Sequence, residues 1–197
     1  MPQARKPALR AVKTPAPIYQ LHIELLGHKP AIWRRVVVPG SIKLSRLHVV
    51  ILTAMGWMGG HLHDFDIGGI NYGTVEDDQF GGPPVEDERR YTLAKAVGPL
   101  KSFTYVYDFG DYWRHRVKVE KILPAAPPLE WPMCLTGRNA CPPEDVGGTP
   151  GCREFLEAIG DPAHPEHESM LEWVGGHFDP TEFDPMEVNS ILINMKP

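Results

Sequence analysis

The chain has few cysteines and no long apolar run, and both shortages narrow the kinds of protein that it can be. Its 197 residues include three cysteines, an odd number that argues against a disulfide scaffold and for a reducing compartment. No apolar stretch approaches the roughly 20 residues that span a bilayer. The first residues also lack the apolar core of a secretory signal. The sequence therefore predicts a cytoplasmic protein with no membrane partner.

The chain also lacks every complete motif of the common catalytic classes that we considered. The segment GGTPG at residues 147–151 has no Lys-Ser/Thr pair and is not a phosphate-binding loop. DFGD at residues 108–111 stands without the other loops of a protein kinase, so Gly110 is better explained as the positive-φ residue of a hairpin turn. No G-x-S-x-G elbow is present. These absences favour a non-enzymatic binding or accessory module, whose partner is a protein or a small ligand.

The composition is ordinary for a globular protein, but positive charge is concentrated at the N-terminal end of the chain and negative charge in its C-terminal third. The chain is 42% hydrophobic and 23% charged, with a net charge of −5. Residues 1–17 carry four cations and no acid, and we interpret them as a disordered basic tail. Residues 123–197 carry 13 acids against three cations. This acidic third repels a phosphate backbone, so it disfavours nucleic acid as a partner.

Hydrophobic periodicity predicts the regular elements of the N-terminal two thirds. IYQLHIELLG and IWRRVVVPG (residues 18–27 and 32–40) are typical of two paired strands. LSRLHVVILTAMGW (residues 44–57) has helical spacing with a glycine stop. KSFTYVYDFGDYWRHRVKVEKIL (residues 101–123) predicts a hairpin.

The C-terminal part is predicted to be helical. Its three Asp-Pro steps, which begin at Asp161, Asp179 and Asp184, are typical of helix starts. The whole pattern predicts an α+β fold, with a curled, mostly antiparallel sheet and a packed helix, followed by an acidic C-terminal helical region. We divide the chain into the tail (1–17), a sheet domain (18–125) and a helical region (126–197) that packs on the sheet in the same structural unit.

Histidines and aspartates near two predicted strands form the best candidate site. His61 and His63 are two residues apart, so on one strand they would share a face, with Asp64 and Asp66 opposite. Joined by residues of the hairpin, they would make a metal or acid–base site, and the protein would be a metal-dependent hydrolase. The alternative is that these groups end strands and cap turns. The candidate cleft comprises His61, His63, Asp64, Asp108, Asp111, Trp113 and His115.

The three cysteines suggest a second, weaker metal site. Zinc favours thiolates separated by two to four residues, whereas Cys134, Cys141 and Cys152 are separated by six and ten. His177, or His164 with His167, would have to complete the set. The alternative is a connector rich in proline and glycine whose cysteines are small buried hydrophobes. We predict the connector and no cofactor, with zinc as the alternative.

Three cations on one face of the second hairpin strand raise the question of nucleic acid. Arg114, Arg116 and Lys118 lie near Tyr112, and basic and aromatic groups on a sheet hold single strands by stacking and phosphate contact. Cations on an exposed strand also prevent edge-to-edge association. Because no RNP-type aromatic signature accompanies them, we favour the second interpretation.

Several blocks of the sequence resemble the plasmid pRiA4b ORF-3-like family. In order they are LHVVILTAMGW, HLHDF, FTYVYDFGDYW, ACPPED and HPEHESMLEWVGGHFDP, which fall between residues 18 and 195. The resemblance implies an α+β fold and a link to plasmids and insertion elements, on which some members travel as passengers. It implies no particular reaction. The family pattern often reads Cys-Pro-Pro-Glu-Asp-Cys after an earlier cysteine. Here Cys134 and Cys141 match, and Val146 stands at the last position.

Overall fold

One eight-stranded sheet organises the structure, a computed structural model that describes residues 15–75, 84–125 and 127–195. The strands are β1 (Ile18–Leu25), β2 (Ile32–Pro39), β3 (His63–Ile67), β4 (Ile70–Gly73), β5 (Val85–Asp87), β6 (Ser102–Tyr107), β7 (Trp113–Leu123) and β8 (Met133–Arg138). Their order is β5-β4-β3-β6-β7-β1-β2-β8. All neighbours are antiparallel except β4 and β5. The predicted α+β class is confirmed.

The inner face of the sheet packs against helices and holds the core. The helices are α1 (Leu44–Met55), α2 (Leu93–Val97), α3 (Gly148–Gly160), α4 (His167–Trp173) and α5 (Pro185–Leu192). Leu44, Leu47 and Ile51 of α1 are fully buried, in one cluster with the inner-face side chains. No helix in the described part of the chain has the length and apolar character needed to cross a bilayer.

Local patterns predicted these central elements correctly because each carries its own periodicity. β1 and β2 pair in register from Ile18↔Pro39 to Leu25↔Ile32. α1 ends at Gly56, whose φ of 93° is left-handed and suits a glycine C-cap. β6 and β7 form the predicted hairpin.

The turn of that hairpin differs from the prediction. Gly110 does not have a positive φ, whereas Asp108 and Tyr112 do, at 59° and 57°. Aspartate tolerates this region because its short polar side chain bonds locally; here one oxygen of Asp108 accepts the N–H of Gly110 at 2.8 Å. The turn is therefore held by a side chain rather than by glycine.

The C-terminal region is not wholly helical, contrary to the prediction. Met133–Arg138 forms β8 and pairs with β2 at the edge of the sheet. Of the three Asp-Pro steps, only Asp184 begins a helix, where it accepts the N–H of Met186 at 2.8 Å. Asp161 instead follows the end of α3, and Asp179 caps a turn by accepting the N–H of Thr181.

Two predictions fall largely or partly outside the described residues. The basic tail was predicted over residues 1–17, of which residues 1–14 are not described. The segment EDDQFGGPPVEDERR, residues 76–90, is typical of an exposed acidic loop, and its residues 76–83 are also not described. Most of its described part is regular, contrary to that prediction, since Val85–Asp87 pairs in parallel with β4 and Glu88–Arg90 forms a 3-10 turn.

Trp113 should be one of the main contributors to stability. It is 1% exposed and packs against Trp57 and His28 in the core. We expect Trp113→Ala to lower the free energy of unfolding by about 3–5 kcal/mol, since it leaves a large cavity. Urea unfolding measures this. Trp173→Ala is the matched control, because Trp173 is 49% exposed; an equal loss in both variants would contradict the assignment.

Candidate functional site

Three side chains from distant segments converge at one end of the sheet. One ligand atom of each of His61, Asp108 and Asp145 lies within 4.8 Å of the other two. Nδ1 of His61 is 3.6 Å from Oδ2 of Asp108, and its Nε2 is 3.2 Å from Oδ1 of Asp145. The side chains are 34%, 12% and 70% exposed, respectively. We call this group the His61 site, and it faces solvent.

Unusual backbone geometry places two of these three residues. Asp108 follows the last residue of β6 and donates its N–H to the carbonyl of Leu62 at 2.8 Å, which brings it beside His61. Asp108 and Asp145 both have a left-handed φ, of 59° and 61°. Left-handed residues other than glycine are uncommon, and aspartate is among those that adopt this region most readily, so both positions suit the residue that occupies them.

The carboxylate of Glu144 ties together the segments that carry the His61 site. It accepts the backbone N–H groups of Met58 and Gly59 at 2.9 and 3.3 Å. It also accepts the hydroxyl of Tyr107 at 2.6 Å. Burial, with this hydrogen bond as a further cause, raises the pKa of Tyr107, so the phenol stays protonated and donates. Glu144, which directly precedes Asp145, thus connects the segment just before His61 to Tyr107, the residue just before Asp108.

The donor types of the His61 site are those of a divalent metal site, since Zn²⁺ binds imidazole nitrogen and carboxylate oxygen at about 2.0–2.2 Å. The two short contacts of His61 use its two different ring nitrogens, and an ion would bind one of them. A bound ion would therefore draw together three donor atoms that lie within 4.8 Å of one another. The 3.6 Å between His61 and Asp108 is too long for a hydrogen bond. Without an ion, His61 between two carboxylates has the arrangement of an acid–base group.

His63 does not belong to this site, contrary to the prediction that it shares a face with His61. β3 begins at His63, and Gly59 and Gly60 precede His61 with φ of 88° and 126°. The two-residue period of a strand therefore does not extend back to His61. His63 instead lies 2.8 Å from a carboxylate oxygen of Glu88, both side chains 7% exposed.

His63 also stacks on His48, with ring centroids 3.4 Å apart. Nδ1 of His48 lies 2.7 Å from the hydroxyl of Tyr105. Glu88, His63, His48 and Tyr105 thus form a polar cluster on the inner face, where Glu88 and Tyr105 are buried.

The other predicted cleft residues lie in three different environments: the outer face of the sheet, the hairpin turn and the core. Asp64 lies on the outer face of the sheet, the face opposite α1. Asp111 accepts the N–H of Gly147 at 3.2 Å and so fixes the hairpin turn to the start of α3. Trp113 is in the core, so it is not a ligand-stacking residue. His115 is fully buried, and neither of its ring nitrogens has a hydrogen-bond partner among the described residues.

The three cysteines are buried and reduced. Cys134, Cys141 and Cys152 are free and 2–9% exposed, and burial raises the pKa of the Cys141 thiol to about 12. They do not form, with His177 or otherwise, a group of three converging ligand atoms in the described part of the chain. Cys141 packs 3.3 Å from the sulfur of Met55.

The three cations of β7 lie on the outer face, as the alternation predicts. Arg114, Arg116 and Lys118 are exposed, and Arg116 pairs with Glu24 at 2.6 Å. Their strand is not an edge strand, since β7 lies between β6 and β1. Protection of a sheet edge therefore does not explain them.

Sequence reasoning missed Glu144 and Asp145 as site residues. Acids in such a loop would be expected to pair with a cation, such as Arg114 or Arg138, but Glu144 binds N–H and hydroxyl donors and Asp145 contacts His61. The signal lay in ACPPED, one of the blocks that carried the family resemblance. Its contact with His61 spans more than 80 residues of sequence, which no local pattern reveals.

These features define an α+β protein with a solvent-facing His–Asp–Asp cluster beside an open sheet. The family model for plasmid pRiA4b ORF-3-like proteins matches residues 17–187, and the chain belongs to this family. It is 43% identical over 181 residues to uncharacterized protein y4hQ of Sinorhizobium fredii, covering 91% of this chain and 90% of the relative. It is also similar to the crystal structure of MM3350, a protein of unknown function from Methanosarcina mazei Go1. That match has a TM-score of 0.80 and 36% identity, and covers 88% of this chain and 98% of the other.

Buried histidines should make stability depend on pH. Burial lowers the pKa of His115 to about 3, and burial with the adjacent His63 lowers that of His48 to about 3. Histidine in an unfolded chain titrates near 6.5. Below that pH only the unfolded chain takes up these protons, so the free energy of unfolding falls as pH decreases from about 6.5 towards 3.

For each histidine we expect a loss of about 2 kcal/mol between pH 7.5 and pH 5. Urea unfolding at several pH values measures it. His115→Phe should flatten the dependence, whereas replacement of the exposed His177 by Gln should not. An unchanged pH dependence in His115→Phe would show that His115 titrates normally.

Glu144 should contribute more to the free energy of unfolding than any one of its hydrogen bonds does alone. We expect Glu144→Gln to lower the free energy of unfolding by about 2–3 kcal/mol, because an amide group replaces one accepting oxygen amid three donors. Tyr107→Phe, which removes one donor, should cost about 1 kcal/mol. In the double variant the two effects should not add, because the residues are in contact. Strict additivity in urea unfolding would contradict a shared network.

Proposed function

We propose that the protein is a binding module for a divalent metal ion held by His61, Asp108 and Asp145. The observation that carries the proposal is the convergence of one donor atom from each of three segments within 4.8 Å. Glu144 supports it, because ligand sets of this kind are held in place by surrounding hydrogen bonds.

The donor chemistry favours Mn²⁺ or Zn²⁺. Two carboxylates and one imidazole are harder ligands than the thiolates that select Cu(I), and imidazole disfavours Ca²⁺. The three cysteine thiols are not candidate metal ligands, because all three are buried and burial raises their pKa.

We place this module in the cytoplasm, with an accessory role connected to plasmids or mobile elements. Three free, buried cysteines support a reducing compartment. The family to which the chain belongs takes its description from a plasmid reading frame. In this form of the proposal the ion organises a binding surface and no reaction occurs.

Metal-dependent hydrolysis is the second candidate, and the exposure of the site favours it. Catalytic zinc sites have three protein ligands and keep a position for water. The side chains of His61 and Asp145 are 34% and 70% exposed, so water and a substrate can reach an ion there. His61, Asp108 and Asp145 would hold the ion, in place of the set with His63 and His115 predicted from sequence.

Calorimetric titration of untagged, chelator-treated protein with Mn²⁺ and Zn²⁺ tests the site. We expect one ion per chain, with affinity at least about tenfold lower in Asp145→Asn and in His61→Gln. Asp145 is mostly exposed, so its replacement should leave the fold intact. His177→Gln is the control, since it removes an exposed histidine outside the site.

Equal affinity in all four proteins, or no saturable binding, would contradict the metal site. Hydrolysis of a chromogenic phosphodiester or ester that needs the ion and is lost in Asp145→Asn would favour the second candidate. Binding without hydrolysis favours the module.

A further inference from the structure

A groove of about 700 Å³ runs along β6 on the outer face of the sheet. Ser102, Thr104 and Val106 form its floor, because the alternate residues of β6 point to the core. Asp64 and Asp66 of β3 form one wall, and two arginines of β7 form the other. The hairpin turn after β6 closes one end, and Gly68 and Gly69 lie at the other.

Strand register sets the acids and the arginines opposite each other. Asp64 pairs with Val106, which pairs in turn with Arg114. One row further along, Asp66 pairs with Thr104, which pairs with Arg116. Neighbouring strands are about 4.8 Å apart, so the backbones of β3 and β7 are separated by about 10 Å. Opposite charges therefore face each other across one intervening strand.

The side chains of one acid and one arginine of this groove have neither an ion-pair partner nor a hydrogen-bond partner among the described residues. Arg116 pairs with Glu24 at 2.6 Å, and Asp66 accepts the N–H of Gly69 at 3.0 Å. The side chains of Arg114 and Asp64, in contrast, make no ion pair or hydrogen bond with any residue in the described ranges. Burial and the neighbouring Asp66 raise the pKa of Asp64, which is the expected consequence of a carboxylate without a cation.

Two exposed aromatic side chains stand at the hairpin end of the groove. Phe109 and Tyr112 line it and are 52% and 59% exposed. Tyr112 has a left-handed φ of 57°, which is uncommon for a bulky residue. Aromatic residues are enriched in binding surfaces because they offer a large apolar face.

We propose that this groove binds a short zwitterionic peptide with an apolar side chain. The peptide carboxylate pairs with Arg114, whose planar guanidinium matches it with two parallel hydrogen bonds. The ammonium group binds Asp64, and the apolar side chain packs on Phe109 and Tyr112. The proposal is independent of the metal site.

The spacing and the signs of charge favour a peptide over other ligands. In a single amino acid the ammonium and carboxylate groups are adjacent. They are too close together to reach both Asp64 on β3 and Arg114 on β7, which lie on either side of β6. A polynucleotide would bring phosphates against the Asp64 and Asp66 wall, where like charges repel. A dipeptide separates its two charges and keeps both signs.

Calorimetric titration with the dipeptide Ala-Phe at low ionic strength tests this proposal. We expect saturable binding, weakened about tenfold or more in Arg114→Gln and in Asp64→Asn, because each loses one charged hydrogen bond. N-acetyl-Ala-Phe-amide, which has neither charge, should bind the unaltered protein at least about tenfold more weakly. Lys118→Gln is the matched control, since Lys118 shares the exposed side of β7 but does not line the groove.

Three results would overturn the proposal. They are no saturable binding up to about 10 mM dipeptide, equal affinity for the capped peptide, and equal loss in Lys118→Gln. Binding of oligo(dT) that Arg114→Gln abolishes and Asp64→Asn strengthens would replace it with a nucleic-acid site. The capped-peptide comparison uses unaltered protein, so it decides the matter even if a variant misfolds.

Discussion

The carboxylate of Glu144 is the interaction on which the candidate metal site depends. Its three donors come from the segment after α1 and from the last residue of β6. Two further contacts join these parts of the chain to the loop around residue 145, since Trp57 donates to the carbonyl of Pro142 at 2.9 Å and Asp111 accepts the N–H of Gly147 at 3.2 Å. Glu144 is the residue directly before Asp145. A carboxylate satisfied by three donors is stable at a half-buried position, and it holds the loop that carries Asp145 against His61. The two acids of ACPPED therefore differ in their contacts, since Glu144 joins segments of the chain and Asp145 lies beside His61.

Arg34 has a comparable role inside the sheet. It is 1% exposed and has no carboxylate partner among the described residues. Its guanidinium donates to the carbonyls of Ala54, Trp33 and Arg138 and lies 3.9 Å from the ring of Phe183. A buried cation is costly unless its donors are satisfied. It therefore requires α1, β8 and the segment before α5 to be in place together.

The sequence predicts elements that carry their own period and misses those defined by distant contacts. In β1, α1 and the β6–β7 hairpin the apolar residues recur with the period of the element itself, so the local sequence was enough to predict each of them. β8 has only six residues, includes Gly137, and its register with β2 shifts between Arg35 and Val36. His61 and Asp108 were selected as chemically suitable residues, but their partner Asp145 was not. Whether His61, His63 or both belong to the site depends on the residue at which β3 begins. The two-residue period of a strand does not determine that first residue.

The hairpin turn places the two proposed sites on opposite sides of one strand. Alternation along β6 sends Tyr107 inward to Glu144 and leaves Thr104 and Val106 as the groove floor. Within the turn, Asp108 faces His61 while Phe109 lines the groove. The left-handed φ of Asp108 reorients the chain between these two residues. The two sites share a backbone segment but no side chain, so an ion at the first and a peptide at the second can be bound at the same time.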